Sequence, residues 1–109
     1  MLATIIVPET IGSPNANCHA EVRDALEATF GGWTAHEATG GWKPVTGEAI
    51  EETVTVYDVA MDDTILNRQT MRSLATDVAR DLDQEAVYLS FNTAVEVEFI
   101  TKQPLTKAS

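Results

Sequence analysis

The stretch AIEETVTVYDVAMDDTILNRQTMRSLATDVARDL, residues 49–82, decides the fold because it places a strand directly before a helix. Side chains in residues 49–61 alternate in character, as they do in a strand with one face on a core. Asp62, Asp63 and Thr64 are typical of a helix start, and the helix is predicted to end near Gln84. Its apolar stripe consists of Met71, Leu74, Ala75, Val78 and Leu82.

A similar pair of elements is predicted nearer the N-terminus. Residues 2–7 form an apolar, β-rich run that indicates a buried strand. The turn-forming residues 12–17 follow, and either Asn15 or Asn17 is expected to cap a helix. Gly31 supplies the left-handed residue that commonly closes a helix. The apolar stripe of this helix is Cys18, Val22, Ala25, Leu26 and Thr29.

Three shorter strands complete the predicted order. One runs from residue 33 to about 38 and is followed by a loop up to Gly47, and two more lie at residues 86–91 and 94–100. Residues 101–109 are expected to be a flexible tail. The order is therefore β-α-β-β-α-β-β. Its first six elements match the ferredoxin-like, split βαβ pattern, in which two helices cover one face of an antiparallel sheet.

Residues 1–100 are thus predicted to form one α+β domain with an open sheet face opposite the helices. We expect Val54 and Val56 to point toward the helices, and Tyr57 and Tyr88 to lie on the open face. An exposed aromatic face is commonly buried against a second copy, so a homodimer or larger assembly is predicted.

Charge and hydropathy restrict the partners. The chain has 17 acidic residues against 7 Lys and Arg, a formal net charge of −10, and its basic residues are scattered. Such a surface repels phosphate backbones, so direct nucleic-acid binding is not expected and a basic partner is favoured. No apolar run reaches membrane length, and the first residues do not resemble a signal peptide. With the lone Cys18, these features predict a cytoplasmic protein.

No pattern in the sequence predicts a reactive centre. Cys18 lies on the apolar stripe, where it is expected to pack as a small hydrophobe, and His19 projects about 100° away on the helix. His36 and Glu37 are consecutive strand residues and point to opposite faces. The Asp62-Asp63 pair is typical of a helix cap. We therefore predict no metal, no cofactor and no catalytic residue.

The most unusual segment is FGGWTAHEATGGWKPVTG, residues 30–47, which holds both tryptophans and four of the six glycines. Its first glycine pair suits the end of a helix and the reversal into the next strand, and Trp33 is expected to anchor the core or its rim. The second pair has no such local role, so Trp42 either caps the sheet edge or anchors a binding surface. The candidate binding residues are Trp42, Lys43, His36, Trp33, Tyr57 and Tyr88.

Several short motifs together resemble a known pattern. They are FGGWT, GGW, the Gly47 that acidic residues follow, VTVYDV and DQEAVYL. This arrangement over roughly residues 30–89 is similar to the FGG-x-T … G-x-W … G … E pattern of a group of small uncharacterised bacterial and phage proteins. The resemblance implies a phage or mobile-element source, and it carries over no catalytic residues.

Three functions remain open. The first is a non-catalytic, acidic protein that binds a basic, nucleic-acid-binding host protein such as a defence component. The second is a protein that binds a small ligand or nucleotide signal, whose bases would stack on aromatic side chains at an oligomer interface. The third is a small acid–base enzyme that uses His36 or a carboxylate such as Glu52. Because no reactive centre is recognisable, we predict that the chain is not an enzyme.

Overall fold

Six elements follow one another in the computed structural model, which describes residues 1–9 and 16–100. The strands form one antiparallel sheet in the order β2-β3-β1-β4, and both helices pack on one of its faces. This architecture confirms the predicted ferredoxin-like α+β fold. The elements are β1 (Leu2–Pro8), α1 (Cys18–Phe30), β2 (Thr34–Trp42), β3 (Ile50–Ala60), α2 (Ile65–Asp81) and β4 (Leu89–Asn92).

Helix α1 begins and ends where its sequence predicts. Asn17 occupies the N-cap position, although its side chain makes no capping hydrogen bond, and Asn15 lies outside the described residues. Gly31 has a φ of 87° and donates its backbone N–H to the carbonyl of Glu27 at 3.0 Å. A left-handed residue of this kind satisfies a carbonyl at the helix end. The buried side chains of α1 are Cys18, Val22 and Leu26.

Helix α2 is capped by Thr64, whose hydroxyl oxygen accepts the backbone N–H of Asn67 at 3.0 Å. The helix ends at Asp81, shortly before the predicted end. The predicted stripe is confirmed as its inner side: Met71, Ala75, Val78 and Leu82 are buried and Leu74 packs against them. Both helices therefore bury most of the apolar stripe that the 3.6-residue period predicts, but Thr29, the last member of the predicted α1 stripe, is exposed.

The predicted orientation of β3 is wrong. Tyr57 and Val59 face the helices and are only 1% exposed, whereas Val54 and Val56 lie on the open face. The cause is the pairing register, which sets Tyr57 opposite the buried Ile5 of β1. Alternate side chains of β3 are apolar on both faces, so the period-two pattern cannot show which face the helices cover.

Two further boundaries differ from prediction. Strand β2 continues to Trp42, so the second glycine pair lies in a strand and not in a loop. The additional C-terminal strand, predicted at residues 94–100, is not formed: residues 95–100 join no strand of the described sheet. The predicted tail, residues 101–109, lies outside the described residues.

Neither helix in the described parts of the chain combines the length and the apolar character that a bilayer crossing requires.

Candidate functional site

A groove of about 410 Å³ crosses the open face of the sheet between Trp42 and Tyr88; we name it the Trp42–Tyr88 groove. Ile6 and Val54 lie in its floor, and residues 84–87 lie beside Tyr88. The two aromatic side chains are 42% and 58% exposed, which is unusual for rings of this size. A concave, largely apolar surface with exposed aromatic rings is typical of a site for a small ligand.

The sheet order brings these aromatic residues to one groove. Trp42 is the last residue of the outer strand β2 and pairs with Ile50. Tyr88 directly precedes β4 at the opposite edge, where its carbonyl accepts the backbone N–H of Ile6 at 3.1 Å. Three strand spacings of about 4.8 Å separate the two edges. The register sets Trp42 level with Ile50 of β3 and Tyr88, through Ile6, level with Val56, so the two aromatic residues lie at diagonally opposite ends of the groove.

Gly40 keeps the floor of the groove open. A Cβ atom at this position would lie 3.3 Å from Cγ1 of Val54, so a side chain there would project over the floor. Gly40 pairs with Glu52 in β3, which also borders the groove. The second glycine pair therefore has a structural consequence that the sequence did not reveal, since it leaves space beside Trp42.

The charge of the groove is negative. Its acidic residues are Glu52 and Glu85, and none of its described lining residues is lysine or arginine. A cationic or neutral ligand is favoured there over a phosphate, which would be repelled.

A second cluster surrounds the hydroxyl of Tyr57 on the helix side of the sheet. Nδ1 of His19 lies 2.8 Å from this hydroxyl, and Nη1 of Arg23 donates to the same oxygen at 3.3 Å. Nε2 of His19 lies 2.8 Å from the carbonyl of Pro8, which can only accept a hydrogen bond. In the neutral imidazole Nε2 therefore carries the proton, and the Tyr57 hydroxyl donates to Nδ1.

Trp33 belongs to this cluster and not to the groove. Its ring meets Tyr57 edge-on with the centroids 5.9 Å apart, and its Nε1–H donates to Glu27 at 3.0 Å. The guanidinium of Arg23 lies 5.8 Å from the centroid of the Trp33 ring. Burial raises the pKa of Tyr57, against a smaller lowering effect of Arg23. The cluster thus holds the buried neutral phenol of Tyr57, whose hydroxyl donates to His19 and accepts from Arg23.

The other candidate residues remain apart from both places. His36 is exposed on the open face of β2, and Lys43 is exposed just beyond the end of that strand. Cys18 is buried, and burial together with the nearby carboxylates raises the pKa of its thiol. Within residues 1–9 and 16–100, no three His, Cys, Asp or Glu side chains converge as metal ligands would.

Sequence reasoning did not show which residues complete each cluster. Glu52 was named only as a possible acid–base residue, and its cross-strand position opposite Gly40 needs the true extent of β2. His19 and Arg23 are four residues apart and lie on the same side of α1, so the sequence indicates that both side chains can contact one partner residue. Nothing in the sequence showed that this contact would be Tyr57, because β3 was assigned the opposite orientation.

Comparison with known proteins identifies the fold. No family model and no curated protein matches the chain. A phage SAM lyase in complex with S-methyl-5'-thioadenosine is similar, with a TM-score of 0.62 and 13% sequence identity over 81% of this chain and 76% of the lyase. The same enzyme in the apo state gives a TM-score of 0.60 at 13% identity, over 81% and 75% of the two chains. CutA1 from Pyrococcus horikoshii OT3 gives a TM-score of 0.51 at 10% identity, over 93% and 86%.

This finding overturns the prediction that the chain is not an enzyme. That prediction took the absence of a recognisable reactive centre as a reason to exclude catalysis. The solved structures show that this arrangement of two helices and an antiparallel sheet is also the fold of a phage lyase. At 13% identity the likeness shows a shared fold.

Proposed function

We propose that this chain binds S-adenosylmethionine, or the S-methyl-5'-thioadenosine portion of it, in the Trp42–Tyr88 groove. The observation that carries the proposal is the pair of exposed aromatic rings on either side of an apolar floor. Bases stack on such rings, with a contribution of about 1–3 kcal/mol for each stacked base. The groove volume of about 410 Å³ lies in the range typical of small-molecule sites.

The charge of the groove supports this ligand over a phosphorylated nucleotide. S-adenosylmethionine has no phosphate, and its sulfonium is a cation that aromatic faces and carboxylates attract. Glu52 and Glu85 border the groove, where either could interact with the sulfonium or the amino group. A nucleotide signal, by contrast, would bring phosphates to an acidic surface.

The shared fold supports the same ligand class, since the similar phage lyase is described with S-methyl-5'-thioadenosine bound. Because that protein is a lyase, a chain of the same fold that binds S-adenosylmethionine can also break it down. We therefore expect the purified protein, incubated with S-adenosylmethionine, to release S-methyl-5'-thioadenosine, detected by liquid chromatography. The bond between the sulfonium sulfur and Cγ of the amino-acid portion breaks, its electron pair stays on the sulfur, and the carboxylate of the same portion bonds to Cγ, so the second product is homoserine lactone.

Isothermal titration tests the binding. S-adenosylmethionine and S-methyl-5'-thioadenosine should bind, and ATP should not. Trp42→Ala should weaken binding roughly 5- to 150-fold, the equivalent of about 1–3 kcal/mol. Ile65→Ala is the matched control, because Ile65 is an apolar residue that is 76% exposed at the start of α2 and does not line the groove. Equal affinity in the Trp42→Ala variant, or no heat with either thioadenosyl compound, would reject the proposal.

A second candidate function is binding to a basic host protein, and the charge of −10 favours it. Several of the few cations are engaged within the chain itself. Arg68 and Arg72 lie over the ring of Phe91, and Arg80 lies 2.8 Å from Asp77. The exposed carboxylates thus outnumber the cations that could neutralise them, which leaves a negative surface for a basic partner.

A pull-down from host lysate should recover a basic, nucleic-acid-binding protein whose association weakens steeply with salt. Salt-independent capture, or recovery of no basic protein, would argue against it.

A further inference from the structure

Residues 94–100, AVEVEFI, have the pattern of a strand but lie in no strand of the described sheet. Val95, Val97 and Phe99 share one parity, and Glu96 and Glu98 share the other. Val97 is 37% exposed, Phe99 81% and Ile100 84%. Several adjacent exposed apolar side chains in a segment with a strand pattern indicate a contact that one copy does not complete.

The free edge of β2 is the complementary feature. This outer strand has nine residues and pairs with β3 in a register that runs without a bulge from Thr34 opposite Asp58 to Trp42 opposite Ile50. Its other edge has no partner strand within the described residues. The strand contains no proline and no lysine, the residues with which proteins commonly protect an edge from further pairing. The opposite edge, β4, has only four residues.

The segment cannot pair along β2 of its own chain. Val97 and Phe99 border a cavity at the end of the sheet with Met1 and Phe30. Phe99 also borders a cavity with Thr34, the first residue of β2. The segment therefore reaches the start of β2 with Phe99, and only one of its residues, Ile100, follows. The segment thus crosses the end of its own sheet and does not run beside β2. Its seven residues would extend about 23 Å as a strand, most of the length of a β2 edge.

We propose that residues 94–100 of one copy of this chain pair as an additional strand with the free edge of β2 in a second copy. One orientation of the added strand places its apolar side chains on the helix side of the sheet and its carboxylates on the open face. With Val97 and Phe99 on the helix side they extend the apolar surface of Ala35, which packs against the core. Glu96 and Glu98 then lie on the open face, the same face as His36, and the backbone hydrogen bonds supply the association.

Each copy carries both the segment and the edge, so the association joins different surfaces of identical chains. It generates a reciprocal pair or a closed ring where the rotation between copies closes, and an open filament where it does not. Copies with a charge of −10 repel one another, and salt screens this repulsion. We therefore expect the assembly to become stronger with salt, in contrast to binding of a basic protein.

Light scattering with size-exclusion chromatography tests the assembly on the full chain at micromolar concentration. The wild type should have the mass of two or more copies. Val97→Pro, which removes a backbone donor from the segment, and Phe99→Asp should both give monomers. Val45→Asp is the matched control and should leave the mass unchanged, because Val45 is a fully exposed apolar residue that lies outside the segment and β2.

Hydrogen exchange read by mass spectrometry locates the contact. In the wild type, amides of residues 94–100 and of β2 should be protected, and both should lose protection together in Val97→Pro while α2 keeps its protection. Retained protection of α2 shows that the variant is folded. A monomeric wild type with fast exchange in residues 94–100, or an assembly that persists in Val97→Pro, would overturn the proposal. Neither result depends on ligand binding in the Trp42–Tyr88 groove.

Discussion

The hydroxyl of Tyr57 lies 2.8 Å from Nδ1 of His19, and this hydrogen bond joins the second half of β3 to the first turn of α1. Tyr57 is 1% exposed, and Arg23 donates to the same oxygen. A phenol inserted between sheet and helix can be buried only because its polar atom has partners there. The contact therefore holds α1 in place at the end where the helix begins.

Removing this hydroxyl should destabilise the protein. Tyr57→Phe leaves Nδ1 of His19 without its donor in a partly buried place, so the free energy of unfolding should fall by about 1–3 kcal/mol. Urea denaturation followed by circular dichroism measures the change. Tyr88→Phe is the matched control, because Tyr88 is 58% exposed and loses only a solvated hydroxyl. Equal effects of the two substitutions would show that the buried hydrogen bonds contribute no stability.

Stability should fall at alkaline pH. Burial raises the pKa of Tyr57 above its ordinary value of 10.0, and burial likewise raises the pKa of Cys18 above 9.0. A group whose pKa is higher in the folded state contributes stability below its unfolded pKa and loses it as the pH rises through the folded pKa. The free energy of unfolding should therefore decrease above pH 9.0, and Tyr57→Phe should remove the part that begins near pH 10.0. An unchanged alkaline slope in that variant would contradict the assignment.

Cys18 should be unreactive in the folded protein. The residue is 1% exposed, and burial followed by the charges of Asp81 and Glu21 raises the pKa of its thiol. The thiolate is the reactive form, so a disulfide reagent should label Cys18 slowly at neutral pH and rapidly in urea. Labelling as fast in buffer as in urea would show that α1 opens readily or that the thiol is accessible.

Gly31 should be far more sensitive to substitution than its neighbour. It has a φ of +87°, and a Cβ atom there would meet no heavy atom within 4 Å, so the penalty is conformational and not steric. Gly31→Ala should cost about 1–2 kcal/mol. A Cβ atom at Gly32 also meets open space, but no positive φ applies there, and Gly32→Ala should have little effect. Thermal unfolding compares the two variants, and equal melting temperatures would contradict the left-handed geometry.

Gly40 should control access to the Trp42–Tyr88 groove. Gly40→Val places methyl groups over the floor beside Val54 and should weaken binding of S-adenosylmethionine at least tenfold, a loss of about 1.4 kcal/mol. Thr39→Val is the matched control, since Thr39 is the preceding residue of β2, is exposed, and does not line the groove. Successive strand residues point to opposite faces, so its side chain lies on the other side of the sheet from the floor. Titration calorimetry on both variants should separate them; unchanged affinity in Gly40→Val would place the ligand elsewhere.

Local patterns in the sequence were sufficient for the helices and the fold class. The stripe of α2 through Met71 and Val78, the cap at Thr64 and the left-handed Gly31 all depend on neighbours within a few positions. Four strands and two helices in this order then leave few arrangements, and the ferredoxin-like one is observed.

The candidate site was only partly predictable. Trp42 was named as a candidate because aromatic residues in loops often anchor interfaces, and Tyr88 because it was expected on the open face of the sheet; both line the groove. Their position in one groove depends on the order β2-β3-β1-β4, which a single strand does not encode. Gly40 and Glu52 could be assigned to the groove only after the structure showed that β2 extends to Trp42. The sequence alone predicts a loop at a pair of glycines.

Tyr57 shows most clearly what the tertiary structure decided. Both faces of β3 carry apolar side chains, so the sequence allowed Val54 and Val56 or Tyr57 and Val59 to meet the helices. The pairing of Tyr57 with Ile5 and its contact with His19 selected the second choice. Periodicity is a property of neighbouring residues and specifies which side chains share a face. Which of the two faces is buried depends on hydrogen bonds and packing between residues distant in the chain.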